Sequence, residues 1–223
     1  GLGDVYKRQV LANPYYIGIF HFQTMLRFDT YFWQAFRNTL VLSIVKLILN
    51  TGAAVIISLL LNEITNMAFK KSVQTIIYLP HFMSWVVVAA VFKMILSVNS
   101  SGVVNGALIN MGLIDNPIDF LGSSKYWTGT FFMMNVWKDT GWGTILFLAT
   151  LSGISPDLYE AAQIDGANRF KRLIYITLPA LANTIITVFI LNLAKVMNLF
   201  ESVFVLQSPI TYAKSQVLQT YVY

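Results

Sequence analysis

The sequence predicts an all-α, polytopic membrane protein. Three observations carry that prediction: an apolar composition, four long apolar stretches, and clusters of basic residues in two alternate loops. Of 223 residues, 56% are apolar and only 11% are charged, and mean hydropathy is +0.62. Soluble domains carry about 25% charged residues, and a soluble chain this apolar would expose large greasy patches. There are no cysteines, and the two histidines, His21 and His81, lie far apart in sequence. A disulfide framework and a thiolate or histidine-based metal site are therefore excluded, and the chain is expected to hold no metal and no cofactor of its own.

The stretches 39–61, 73–96, 126–151 and 180–206 are each long enough to cross a bilayer as a helix, which takes about 20 residues. Lipid cannot satisfy free backbone groups, and period-two alternation, the mark of a membrane barrel strand, is absent. Orientation follows from Lys and Arg. The 62–72 loop carries Lys70 and Lys71, and the 152–179 loop carries Arg169, Lys171 and Arg172. The 97–125 loop has only Lys125, with Asp115 and Asp119 nearby, and the 207–223 tail has only Lys214. The two basic loops are thus expected in the cytoplasm. Segment 10–38, loop 97–125 and the tail are expected outside. The net charge of +5 then records topology, because no basic stripe with interleaved aromatics suggests nucleic acid. Residues 1–9, containing DVYKRQ, read as a sequencing-adapter scar and are set aside. Further helices are expected before Val10 and after Tyr223.

The 152–179 loop has internal order. Ser155 can cap a helix that starts at Pro156 with Asp157 in its first turn. Two turns then reach Asp165, and Gly166 permits the left-handed geometry that ends a helix. A second helix over 167–178 and a break at Pro179 ahead of the fourth span complete a helical hairpin on the membrane surface. Such a hairpin has two readings. It can be an amphipathic connector lying on headgroups, or a docking element, with small Ala161 and Ala162 admitting another backbone and Glu160 pairing with a partner's arginine.

The string Glu160-Ala161-Ala162-Gln163-Ile164-Asp165-Gly166-Ala167, followed by Ile176-Thr177-Leu178-Pro179, resembles the EAA loop of binding-protein-dependent ABC permeases. Phe32-Trp33-Gln34-Ala35-Phe36-Arg37-Asn38, Leu79-Pro80-His81-Phe82-Met83-Ser84-Trp85 and Gly141-Trp142-Gly143 look like its carbohydrate-uptake branch, of the LplB-like type related to the maltose permease MalF. The likeness runs from Tyr31 to Tyr223. It implies a partial type I importer permease core, MetI-like, holding four of about six transmembrane helices in the bacterial cytoplasmic membrane. It also implies that Asp157, Glu160, Ala161, Ala162, Asp165, Gly166, Leu178 and Pro179 form the coupling element that enters a cleft of an ATPase subunit. The implied partners are two cytoplasmic ATPases, a second permease and an external solute-binding protein. The implied cargo is an oligosaccharide or multiple sugars. The Walker A pattern is absent from the chain, so ATP and Mg belong to the partner, and no residue here is assigned a catalytic role. A secondary transporter or channel is the alternative from another class, and a non-transporting scaffold is a third, but a secondary transporter leaves the EAA loop unexplained.

Candidates for the substrate path come from polar residues inside the spans. On a continuous fourth helix Thr184, Thr187, Lys195, Asn198 and Ser202 share an arc of about 80°, with Asn192 and Glu201 beside it. The third span adds Asn135, Trp137 and Trp142, whose rings could stack on a sugar. Each has a competing role in helix packing, through hydroxyls bonded to their own backbone or across helices. Lys46 and Asp139 have no partner identifiable in sequence, Lys93 is placed to snorkel, and His81 is expected to be packed beside a kink at Pro80.

Overall fold

The computed structural model describes residues 19–99, 102–194 and 196–223. The predicted scar and Lys195 lie outside the described residues. A short helix α1 (Phe20–Phe28) turns at Asp29 into α2 (Thr30–Asn62), a 33-residue helix. The Asp29 carboxylate accepts from the backbone N–H of Tyr31 at 2.9 Å and Phe32 at 3.0 Å, the N-cap bond that starts a helix. The first span therefore begins at Thr30, and residues 30–38 are its opening turns rather than a lead-in segment.

The second predicted span is two helices. α3 (Met67–Tyr78) runs into a 3-10 turn at Leu79–Phe82, and α4 (Trp85–Ile95) leaves at 109° to it. Pro80 removes a backbone donor, and the Ser84 hydroxyl accepts from Val87 N at 3.3 Å to restart the chain as a new helix. Sequence anticipated a kink here, and the structure makes it a full break. The following loop is ordered by α5 (Val103–Asn110). Its Asn105, 1% exposed, donates to Ser97 O at 2.9 Å and Ile118 O at 3.0 Å and accepts from Ile118 N at 2.8 Å.

α6 (Trp127–Ser152) is the central helix. Its 26 residues suffice to span a bilayer. It nonetheless carries Asn135, Lys138, Asp139 and several threonines, and the helices apolar enough to face lipid are its neighbours, 30–62 and 169–193, with the bent α3–α4 pair as a third candidate. Its apolar side chains Trp127, Phe131, Met134 and Phe147 are wholly buried among those neighbours. Two glycines allow the close approach. A Cβ on Gly141 would stand 2.5 Å from Ile77 O, and one on Gly143 would stand 2.8 Å from the Ala54 Cβ.

After α7 (Pro156–Ile164) the chain forms α8 (Arg169–Arg172), a π turn at Leu173–Thr177, and α9 (Leu178–Leu193), together one 25-residue run from Arg169 to Leu193. The predicted surface helix 167–178 and the break at Pro179 are thus corrected. In the π turn Leu178 N–H donates to Leu173 O, five residues back. That wider turn precedes Pro179 in the first turn of α9, where a missing donor costs least. Leu178 and Pro179 consequently belong to the fourth span and not to the polar loop. The same span stops at Leu193, well short of 206, and the helix resumes only as α10 (Phe200–Phe204).

The last residues fold back as a 3-10 turn (Pro209–Thr211), α11 (Tyr212–Ser215) and α12 (Leu218–Val222). They seat on the start of α2. Asn38 Nδ2 donates to Ala213 O at 3.2 Å and Gln216 O at 3.0 Å, and Leu218 N donates to Thr39 Oγ1 at 2.9 Å. The Tyr221 hydroxyl donates to Asp29 and, with the backbone donors at Phe32 and Tyr31, holds that carboxyl below its usual range.

Candidate functional site

A cavity of about 450 Å³ lies between α2, the Leu79–Phe82 turn, α6 and α9. One wall is a single face of α2: Ser43, Lys46, Leu47, Asn50, Thr51 and Ala54 recur at spacings of three and four. The opposite wall is Asp139, Trp142 and Gly143 of α6, His81 of the turn, Val188 and Asn192 of α9, and Val196 and Asn198 just beyond it.

Asp139 is the electrostatic centre. Its carboxylate stands 3.5 Å from Lys46 Nζ, 3.7 Å from His81 Nδ1 and 3.8 Å from Lys138 Nζ. Lys138 is buried, donates to His81 O at 3.0 Å and lies over the Trp85 ring at 5.6 Å. The imidazole of His81 stacks on Trp142 with centroids 5.5 Å apart and planes at 18°. Ser43 Oγ, Asn50 Oδ1, Thr51 Oγ1 and His81 Nδ1 are buried with no hydrogen-bond partner among the described residues. Each such orphan costs about 1–3 kcal/mol when nothing fills its place. All four belong to residues of the cavity wall, with the orphaned atoms themselves turned away from the open space.

The sequence candidates for the substrate path separate here. Trp142, Asn192 and Asn198 line the cavity. Asn135 does not: it is wholly buried and donates to Phe131 O, one turn back on its own helix, at 2.7 Å. Trp137 lies outside, edge-on to Phe92 at 5.3 Å. Thr187 is on an exposed face, bonded to Asn183 O at 2.8 Å. Glu201 is exposed on α10, away from the lining. Thr184 meets Thr150 at 2.8 Å and the buried Ser202 bonds Leu199 O at 3.0 Å, so both serve packing. The continuous stripe fails because α9 ends before it is complete. Sequence reading missed Ser43, Lys46, Asn50, Thr51, His81 and Asp139 as lining residues. The i, i+3, i+4 polar spacing on the first span was the available signal.

α7 forms a separate, protruding feature. Ser155 Oγ accepts from Asp157 N at 3.3 Å and donates to the Asp157 carboxylate at 3.1 Å, closing its N-terminus. Gly166, at φ +73°, closes the other end. Gly166 N–H donates to Gln163 O at 3.1 Å and Ala167 N–H to Ala162 O at 2.8 Å, the paired bonds of a Schellman cap. Asp157, Glu160, Ala161, Asp165 and Gly166 are exposed, Ala162 is half-buried, and Ile164 is 87% exposed. On the inner side Tyr159 OH and Thr177 Oγ1, 3.0 Å apart, tie α7 to the start of the fourth span. Leu178, half-buried, and Pro179 sit above this surface within the span. A second cavity of about 690 Å³ separates α7 from the end of α2, with Leu60, Glu63, Arg169 and Phe170 in its lining.

Comparison with known proteins agrees with this architecture. The chain is 40% identical to protein LplB of Bacillus subtilis over 193 residues, covering 86% of this chain and 60% of that protein. It is 35% identical over 209 residues to the polygalacturonan/rhamnogalacturonan transport system permease protein YteP of the same organism, covering 93% and 64%. It therefore spans less than two thirds of the length of those relatives. A solved bacterial ABC transporter involved in import of the acidic polysaccharide alginate superimposes with a TM-score of 0.87 at 35% identity, over 100% of this chain and 77% of that one. Residues 50–221 match the family described as the binding-protein-dependent transport system inner membrane component. The chain belongs to that family of membrane-embedded ABC permeases.

Proposed function

We propose that the chain is the permease subunit of an ATP-driven importer that moves a carbohydrate, an oligosaccharide or several related sugars, across the bacterial cytoplasmic membrane. The polar cavity walled by the spans carries this reading. A sugar needs many hydrogen bonds and a flat apolar surface, and the lining offers Ser43, Asn50, Thr51, Asn192 and Asn198 beside the face of Trp142. The names of the relatives, a polygalacturonan/rhamnogalacturonan transport permease and a transporter involved in alginate import, support the same class of cargo.

In this reading Asp157, Glu160, Ala161, Ala162, Asp165 and Gly166 dock α7 into a cytoplasmic ATPase, and Leu178 and Pro179 hold the start of the helix that carries the motion. The run from Arg169 to Leu193 begins beside α7, is tied to it by Tyr159 and Thr177, and ends with Asn192 on the cavity wall. Closure of the ATPases on ATP displaces α7, and a rigid helix passes that displacement to the cavity. A second permease completes the pathway and an external solute-binding protein delivers the cargo. ATP and Mg act in the partner, and no bond is made or broken on this chain. The test is uptake of a labelled oligosaccharide into proteoliposomes bearing the assembled importer. Uptake that stops without ATP hydrolysis supports the reading, and uptake that persists without the ATPase favours a secondary transporter.

A further inference from the structure

The cavity's charges do not balance. Two lysines, Lys46 and Lys138, surround one carboxylate, Asp139, which is the only acid among the described lining residues. Both contacts, at 3.5 and 3.8 Å, exceed the roughly 2.7–2.9 Å of a formed charge-assisted hydrogen bond. Lys138 has other support, from the His81 carbonyl and the Trp85 ring. Lys46 has none: among the described residues Asp139 is its sole partner. An uncompensated cation inside a membrane protein is costly unless an anion joins it.

We propose that the cavity selects a sugar that carries a carboxylate, a uronate, and that Lys46 is the residue that reads it. The proposal rests on the cavity being the substrate path. The incoming carboxylate takes Lys46 from Asp139, and Asp139 stays with Lys138 and His81. Two lysines then face two carboxylates, and the net charge of the cluster falls to zero. Asn50 and Ser43, one turn to either side of Lys46 on the same face, continue the wall against which the sugar lies. Trp142 supplies the stacking face. A neutral sugar makes these last contacts but leaves Lys46 where it is.

The experiment measures binding of trigalacturonate and of its neutral counterpart galactotriose to the assembled importer, held ATP-bound by a hydrolysis-deficient ATPase and without solute-binding protein. Tryptophan fluorescence gives the readout. The acidic trimer should bind about tenfold more tightly, as expected of one partly buried ion pair, and the advantage should shrink as salt is raised. Lys46→Met should erase the advantage of the acidic trimer over galactotriose, and Lys46→Arg should keep it. Equal binding of both trimers to the unaltered protein, or an advantage that survives Lys46→Met, overturns the proposal and leaves the carbohydrate reading standing. Binding of neither trimer overturns both.

Discussion

Replacing Gly166 by valine should uncouple ATP hydrolysis from uptake while leaving the protein inserted in the membrane. Gly166 sits at φ +73°, and nothing lies within 4 Å of the position a Cβ would occupy. The cost is therefore conformational and local: a β-branched residue in the left-handed region loses roughly 1–2 kcal/mol or more. The Schellman bonds from Gly166 and Ala167 to Gln163 and Ala162 would open, and the exposed end of α7 would lose its fixed shape. The spans are untouched, because their burial lies in α2, α6 and α9. We expect sugar moved per ATP to fall about tenfold or more, the loss of a well-placed contact worth about 1.4 kcal/mol. Gly166→Asn should retain most coupling, since asparagine tolerates this backbone geometry. Unchanged coupling in Gly166→Val would remove α7 from the mechanism.

The second large effect concerns Asp139. Asp139→Leu leaves Lys46 and Lys138 facing one another's field with no acid between them. Removing the acid from this half-buried cluster costs about 1–3 kcal/mol, between an exposed and a fully buried pair, most of it the penalty on the cations left behind. Thermal unfolding in detergent should show the loss. The double variant Lys46→Met with Asp139→Leu should recover much of it, because the orphaned cation goes too. A double variant no more stable than the single would show that Lys46 and Asp139 do not interact.

Much of the site was legible in sequence where the information was local. The cap at Ser155, the helix from Pro156 and the stop at Gly166 are chemistry of adjacent residues, and all three stand in the structure. Pro179 misled for the opposite reason. Proline alone says that a donor is missing, and the π turn before it is settled by how the helix packs. Pro80 announced a kink, but the 109° break also needed Ser84 as a new cap and Gly141 of α6 against the Ile77 carbonyl. The polar stripe on the fourth span assumed a helix reaching 206, and the helix stops at Leu193. The pairing of Lys46 with Asp139 joins helices distant in sequence, and no periodicity within either could reveal it.

Contact between α7 and an ATPase is the claim on which the rest depends, and the chain's lack of cysteine makes it directly measurable. Ala161→Cys places a single thiol on the exposed face of α7. In the assembled importer that thiol should cross-link to the ATPase subunit, with a yield that changes on ATP binding, and it should be shielded from a water-soluble maleimide. A thiol that forms no cross-link and is labelled equally fast with and without the ATPase would contradict the account.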